Sequence, residues 1–307
     1  MSISVLINQL IVLFLIICFG YILNKCKILD ANFNRRGSKF IVSGTMPAMT
    51  ISSVLSLQSP PDSDDVLTVF IVAVSMYTIV PVIGYFLTLL IKPSNGSVGV
   101  YHFMYIFSNV GFMGYPILNA VYGPTAVFYA GIINIIFNLS CYSYGIVIIN
   151  RGSQASGSMD LKKLISPGII CSFAALIIYA FKIHFPAVVE NTVSTIGGIT
   201  PALSMIIIGS TLATINIKEV FNDAYVYIFA IIKQIILPLA FMPVCRLLIK
   251  DDLVYGVTMI MLLMPVANTS VLFTTDFEHD ESIAAKTVFI TTAMSLITIP
   301  LGMIIAP

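Results

Sequence analysis

Charged side chains are scarce in this sequence. Only 9% of its 307 residues are charged, 58% are hydrophobic and the mean hydropathy is +1.00, whereas a soluble protein carries about 25% charged residues. The net charge of +1 also gives no clustered basic face of the kind that a nucleic-acid partner needs. The composition therefore predicts an integral membrane protein that contacts the lipid bilayer and has no nucleic-acid partner.

The motifs that carry enzymatic chemistry are absent as well. The five cysteines form no CxxC pair, and the sequence contains no HExxH motif and no glycine-rich phosphate loop. No Asp or Glu falls inside a predicted membrane span except Asp223 at the very start of one, so a buried carboxylate pair is missing. We therefore predict that the protein is not an enzyme, uses no cofactor or metal, and is not driven by ATP.

Long apolar runs dominate what is present. A helix needs about 20 apolar residues to cross a bilayer, and this rule predicts ten spans in an all-α membrane protein. The spans are 4–23, 38–57, 66–91, 100–122, 125–149, 166–183, 191–214, 223–248, 254–275 and 283–305. The polar stretch 150–165 predicts a short linker between a first half, 1–149, and a second half, 166–307.

The distribution of Lys and Arg predicts the orientation of the chain. Eleven of these residues fall in loops on one side of the predicted spans, three fall on the other side, and Lys233 lies inside a span. Loops enriched in Lys and Arg are the cytoplasmic ones. We therefore expect a cytoplasmic linker, and both termini on the outer side of the cell membrane.

Prolines recur at matching positions in the two halves. Each pair is about 150 residues apart and falls in the same span of each half. The pairs are Pro47 with Pro201, Pro81 with Pro238, and Pro116 with Pro265. Because each half holds an odd number of spans, the copies must be inverted, and inverted repeats with broken helices are typical of secondary transporters. The alternative is ten unrelated spans with scattered prolines.

The fourth span is interrupted near its centre. Asn109, Gly111, Gly114 and Pro116 lie where the hydrocarbon is deepest. A broken helix survives at that depth only where protein or a water-filled cavity surrounds it. The pattern therefore predicts one wall of a binding site, and the alternative is a proline-kinked helix whose glycines permit close packing.

The ninth span has a similar cluster, formed by Pro265, Asn268, Thr269 and Ser270. A break exposes N–H groups at the start of the next half-helix, where partial positive charge favours an anion. Crossing of the fourth and ninth spans near the membrane midplane would bring two such ends together. Asn109 and Asn268 either contact the substrate or cap the broken helices, and both roles can hold together.

Lys233 is the basic residue deepest in a span. A charge at that depth costs at least about 2.5 kcal/mol, so it marks a functional site by default. Its ammonium either neutralises an anionic substrate or braces a broken helix by bonding freed carbonyls. The remaining alternative is that the side chain snorkels to the membrane surface.

The motifs resemble those of the auxin efflux carrier family, whose bacterial branch includes malate-permease-like proteins. The resemblance covers essentially the whole chain and is carried by 109–116, 201–212, 233–238 and 296–300. It implies two inverted five-helix repeats with crossed broken helices 4 and 9, as in sodium/proton-antiporter and bile-acid-symporter-like folds. It also implies a scaffold domain of helices 1, 2, 6 and 7, and a transport domain of helices 3–5 and 8–10. Thr50 and Ser204, beside Pro47 and Pro201, would lie near the site.

The resemblance further implies a homodimeric carrier of small organic anions, carboxylates such as malate, that works by an elevator-like movement. A proton or sodium ion is a possible coupling partner. The alternatives are a sodium- or proton-coupled symporter of another small solute, and a membrane receptor that binds its ligand without transporting it.

Overall fold

The computed structural model describes residues 3–57, 61–91, 93, 97–151, 167–214, 223–276 and 281–305, and within these ranges the chain is helical and contains no strand. Nearly all of the predicted linker 150–165 lies outside the described residues. The helices are α1 (Ile3–Lys25), α2 (31–55), α3 (Ser63–Ile91), α4 (Val98–Ile106), α5 (110–122), α6 (Pro124–Ile149), α7 (Pro167–Phe181), α8 (Ala187–Thr214), α9 (Ala224–Leu248), α10 (Asp252–Leu263), α11 (Thr269–Asp276) and α12 (Glu281–Ile305).

Several of these helices suit a bilayer. Within the described ranges, five are long and apolar enough to cross one, namely α3, α6, α8, α9 and α12, and α7 and α10 are shorter apolar helices. The predicted fourth and ninth spans are each divided in two, into α4 and α5 and into α10 and α11. The all-helical class of a multi-pass membrane protein is confirmed, whereas the inverted ten-span arrangement stays a prediction.

Four helices contain a π-helical turn. The turns are Ile41–Thr45 in α2, Val110–Gly114 in α5, Cys141–Gly145 in α6 and Ile232–Ile236 in α9. In α2, α5 and α9 a proline follows two residues after the turn ends. A proline ring clashes with the carbonyl four residues earlier, and a wider turn at that point gives the ring room. These prolines therefore mark local deformations of the helices. Such π turns are also frequent at functional sites.

Pro81 lies inside α3 without a π turn, and side chains of other helices donate hydrogen bonds to two carbonyls of α3 near it. Because proline has no N–H, the carbonyl of Tyr77 loses its usual helical donor. The hydroxyl of Tyr144 in α6 donates to this carbonyl at 2.6 Å. The carbonyl of Pro81 in turn accepts a hydrogen bond from Nε2 of His102 in α4 at 2.8 Å. These two contacts tie α3 to α4 and α6.

The interrupted helices lie in the protein core. Residues 99–106 of α4 and 254–263 of α10 are buried without exception. Neither helix could expose its broken end to lipid, because the surrounding helices shield it. The condition for an interrupted helix at membrane depth is therefore met by protein contacts.

A second group of helices packs through glycines. A Cβ atom at Gly20 of α1 would overlap the carbonyl oxygen of Ile206 in α8, and one at Gly209 of α8 would overlap that of Ile17. A Cβ atom at Gly197 of α8 would lie 2.7 Å from Cα of Met49 in α2, which is also too close, and α2 packs against α7. The group α1, α2, α7 and α8 corresponds to the predicted scaffold spans, and its role as a separate domain remains a prediction.

The glycine packing predicts that Gly209→Ala destabilises the protein. The new methyl group would force α1 and α8 apart, at a cost of about 1–3 kcal/mol for overpacking. Gly44→Ala is a matched control, because a Cβ there would meet only the ring of Phe40 at 3.7 Å. Thermal unfolding in detergent should show a lower midpoint for Gly209→Ala alone. Equal midpoints for the two variants would contradict the argument.

Candidate functional site

The segment between α4 and α5 (107–109, the first break) and the segment between α10 and α11 (264–268, the second break) are hydrogen-bonded to each other. The N–H of Asn109 donates to the carbonyl of Pro265 at 2.8 Å, and the N–H of Ala267 donates to the carbonyl of Phe107 at 3.1 Å. These bonds form an isolated antiparallel bridge between Ser108 and Val266. Each break therefore provides hydrogen-bond partners for backbone groups that the other break has removed from a helix.

The first break lies slightly earlier than its glycines suggest. The chain leaves α4 after Ile106 and enters the π turn of α5 at Val110, so Gly111 and Gly114 lie in that turn. The N–H of Gly114 donates to the carbonyl of Asn109 at 3.0 Å. Pro116 is buried in α5, beyond the turn. A Cβ at Gly111 would lie 3.0 Å from Cε of Met46, so this glycine permits close contact with α2.

The second break contains Pro265 itself. The N–H of Val266 donates to Oγ1 of Thr291 in α12 at 3.2 Å. Thr269 and Ser270 form the first turn of α11, where the N–H of Ser270 donates to the carbonyl of Ala267 at 3.0 Å. Asn268 lies immediately before this turn and is half-buried. The second break is thus held by α12 on one side and by the first break on the other.

Lys233 braces the first break. Its Nζ donates to the carbonyl of Tyr105 at 2.7 Å and to Oγ of Ser108 at 2.8 Å. In an unbroken helix the carbonyl of Tyr105 would accept from the N–H of Asn109, which donates to Pro265 instead. The lysine therefore replaces the donor that the break removes. With 4% of its surface exposed, the side chain does not reach the membrane surface as the snorkelling alternative expects.

Several polar groups near the breaks have no partner. Nδ2 of Asn109, Oγ1 of Thr269 and Oγ of Ser270 are buried and make no hydrogen bond within the described part of the chain. The side chain of Asn109 does not cap α5, although only 3% of the residue is exposed. An unsatisfied buried polar group costs about 1–3 kcal/mol, so such groups are expected where a ligand supplies the missing bond.

Thr50 and Ser204 are buried next to the same region. The Thr50 hydroxyl donates to the carbonyl of Met46 at 3.1 Å, and the Ser204 hydroxyl donates to that of Pro201 at 3.1 Å. The methyl group of Thr50 also lies 3.0 Å from the position of a Cβ at Gly131 in α6. Both hydroxyls therefore donate to carbonyls of their own helices.

Two residues whose side chains hold the breaks in place were not predicted from the sequence. Ser108 accepts from Lys233, and Thr291 accepts from Val266. Ser108 lies within the interrupted stretch and could have been found from its position beside Asn109. Thr291 lies in a regular part of the last span, where no proline, glycine or charge distinguishes it. Its contact depends on tertiary packing alone.

The charges and partial charges beside the two breaks are positive. α5 and α11 both begin at the breaks, where helix N-termini carry partial positive charge. The ammonium group of Lys233 lies beside the first break, and the carbonyl and the hydroxyl to which it donates are both uncharged. Across the described ranges, no group of three or more His, Cys, Asp and Glu side chains could hold a metal ion.

The two hydrogen bonds that Lys233 donates at the first break predict that Lys233→Met destabilises the protein. The substitution leaves the carbonyl of Tyr105 and the hydroxyl of Ser108 without their donor, which we expect to cost about 1–3 kcal/mol. The control is Arg246→Met, which removes an exposed ion pair with Asp252 and should cost at most about 1 kcal/mol. The midpoint of thermal unfolding in detergent measures the loss of stability in each variant. An unchanged midpoint for Lys233→Met would refute the bracing role.

Known proteins match this chain. A family model described as membrane transport protein matches residues 5–159 and 153–303. A protein of Methanocaldococcus jannaschii, described as an uncharacterized transporter, is 24% identical over 199 residues. That alignment covers 63% of this chain and 63% of the relative, so the chain spans less than two thirds of the relative's length.

The family matches together extend over nearly all of the sequence. They agree with the apolar helices of a multi-pass membrane protein. They also agree with the absence of enzymatic motifs, because the family is one of transporters. The chain belongs to the membrane transport protein family, the auxin efflux carrier family that its sequence motifs resemble.

Proposed function

We propose that the protein is a secondary carrier of small organic anions, carboxylates such as malate among them, in the cell membrane. The observation that carries this proposal is the pairing of the two helix breaks next to Lys233. Two half-helix N-termini and one ammonium group concentrate positive charge in a buried region. A carboxylate is the common small metabolite group that this field favours.

The proposed substrate contacts are the unsatisfied groups near the breaks. Asn109, Thr269 and Ser270 offer buried donors that have no partner within the described residues. Asn268 adds a half-buried amide at the second break. The remaining predicted site residues shape the region and do not all touch the substrate; they are Gly111, Gly114, Pro116, Pro265, Lys233, Thr50 and Ser204.

We infer an elevator-like movement between two bodies. One comprises α1, α2, α7 and α8, which pack closely through Gly20, Gly197 and Gly209. The other comprises the remaining helices, which the paired breaks and the contacts of Lys233 link internally. In this proposal the two bodies correspond to the scaffold and transport domains of an inverted ten-helix repeat. The carrier is a homodimer with both termini outside.

A coupling ion belongs to the same proposal. The one carboxylate within the predicted spans is Asp223, at the very start of 223–248, so a sodium ion deeper in the membrane would have to bind carbonyl, Asn, Ser and Thr oxygens. A proton would have few carriers there besides Lys233. Dependence of the flux on an imposed sodium or proton gradient distinguishes these routes from uniport.

The proposal predicts anion flux in proteoliposomes. Purified protein should exchange or accumulate at least one labelled carboxylate, whereas empty liposomes and liposomes with heat-inactivated protein should not. The panel should contain monocarboxylates, dicarboxylates and amino acids, each with and without sodium and proton gradients. Saturable binding without flux would indicate a receptor, and no flux of any anion under any gradient would refute the carrier.

The site predicts that Asn109→Ala and Asn268→Ala each abolish flux. Either change removes a polar group at a break, and neither should unfold the protein, because the backbone bonds between the breaks remain. Asn191→Ala is the matched control, since Asn191 is exposed on α8. Flux assays combined with size-exclusion chromatography should show inactive, monodisperse variants. If both variants transport normally, the breaks serve packing and not substrate binding.

A further inference from the structure

A polar cavity opens between the two groups of helices, away from the paired breaks. Its volume is about 150 Å³, and it is lined by α2 and α8 on one side and by α5 and α6 on the other. Ser56 ends α2, Pro124 begins α6 and Ser194 lies near the start of α8. The mouth therefore faces the end of the molecule that the orientation prediction assigns to the outside.

Four of the polar side chains that line this cavity are free to bind a solute. Ser52, Ser56, Asn119 and Ser194 contribute three hydroxyls and an amide, and none of the four side chains bonds to another residue in the described ranges. Gly197 lines the cavity as well and has only backbone atoms to offer. Its carbonyl lacks the usual helical donor, because that donor would be the missing N–H of Pro201. The cavity thus offers hydrogen-bond donors and acceptors from the hydroxyls and the amide, and an acceptor from this carbonyl.

The size of the cavity limits the solute. A cavity of about 150 Å³ accommodates a molecule about as large as benzene, which has six heavy atoms. An apolar cavity of this volume stays dry, whereas hydroxyls and amides make this one wet and suitable for a small polar solute. A small hydroxycarboxylate fits both requirements, because its carboxylate accepts from the serines and Asn119 and its hydroxyl donates to a carbonyl.

The charges at this end of the molecule are mainly negative. Six carboxylates and three basic side chains lie at or near the helix ends on this side of the molecule. The carboxylates are Asp62, Asp64, Asp65, Glu190, Asp251 and Asp252, and the basic residues are Lys182, Arg246 and Lys250. Arg246 is already paired with Asp252 at 2.7 Å. None of the described residues that line the cavity is charged, so a second negative charge on the solute meets repulsion and no compensating cation from this lining.

We infer that this cavity is the outer recognition site of the carrier and that it selects a small hydroxycarboxylate with one negative charge over a dicarboxylate. The inference rests on the proposed carrier function and narrows its substrate class. At about 10 Å in water, each carboxylate reduces the occupancy of an additional solute charge about twofold. Three uncompensated carboxylates therefore predict a preference of roughly fivefold after some screening by salt.

The test compares lactate with malate, which carries the same hydroxy acid group and one further carboxylate. Isothermal titration of the full-length protein at low salt should give roughly fivefold tighter binding of lactate, and 0.3 M KCl should reduce this ratio to below about twofold. Tighter binding of malate, or a ratio that salt does not change, would overturn the inference. Malate flux in proteoliposomes would then still support the carrier.

Variants distinguish the effect of the residues that line the cavity from the effect of the carboxylates outside it. Asn119→Ala and Ser52→Ala should each weaken lactate binding about fivefold or more, as expected for a lost hydrogen bond to a charged group, whereas Asn191→Ala should not. Asp62→Asn with Asp65→Asn should lower the ratio of lactate to malate affinity about threefold, which is the share of two among three equally screened carboxylates. Asparagine at 62 can still cap α3. Unchanged lactate affinity in both lining variants would remove the cavity from the pathway. The absence of binding and flux for every anion would refute the carrier as well.

Discussion

The hydrogen-bonding requirement of the backbone governs this structure. A helix that stops inside a membrane protein leaves carbonyl and N–H groups without partners, and lipid cannot supply them. Here two helices stop, and the short segments after α4 and after α10 pair with each other through Asn109, Pro265, Phe107 and Ala267. Either break alone would leave buried backbone groups unsatisfied. The two interruptions therefore have to occur together, and both have to be buried.

Lys233 completes the same set of bonds from a third helix. Burying an ammonium group is expensive, and an ion pair with a carboxylate is the usual compensation. This lysine bonds to a carbonyl and a hydroxyl instead, so its positive charge is hydrogen-bonded but not neutralised. The same side chain thus stabilises the break and keeps a positive potential beside it. A carboxylate in its place could not donate to the carbonyl of Tyr105.

Composition and local pattern predict much of this arrangement, but not its contacts. The apolar runs place the helices within a few residues, since crossing a bilayer demands a fixed length. Gly111, Gly114 and Pro116 reveal an interrupted span, yet the chain breaks at 107–109. That position depends on where Pro265 and Val266 approach, which no local signal encodes. Thr291 illustrates the same limit, because only packing brings α12 to the second break.

The paired breaks also constrain how the molecule can move. Hydrogen bonds join them to each other, Lys233 joins them to α9, and Thr291 joins them to α12. Separating any of these elements at membrane depth would expose several buried polar groups, each at a cost of about 1–3 kcal/mol. The hydroxyls of Thr50 and Ser204 in α2 and α8 bond to carbonyls of their own helices. The proposed elevator-like movement along α2 and α8 would therefore leave these two bonds and the pairing of the breaks intact.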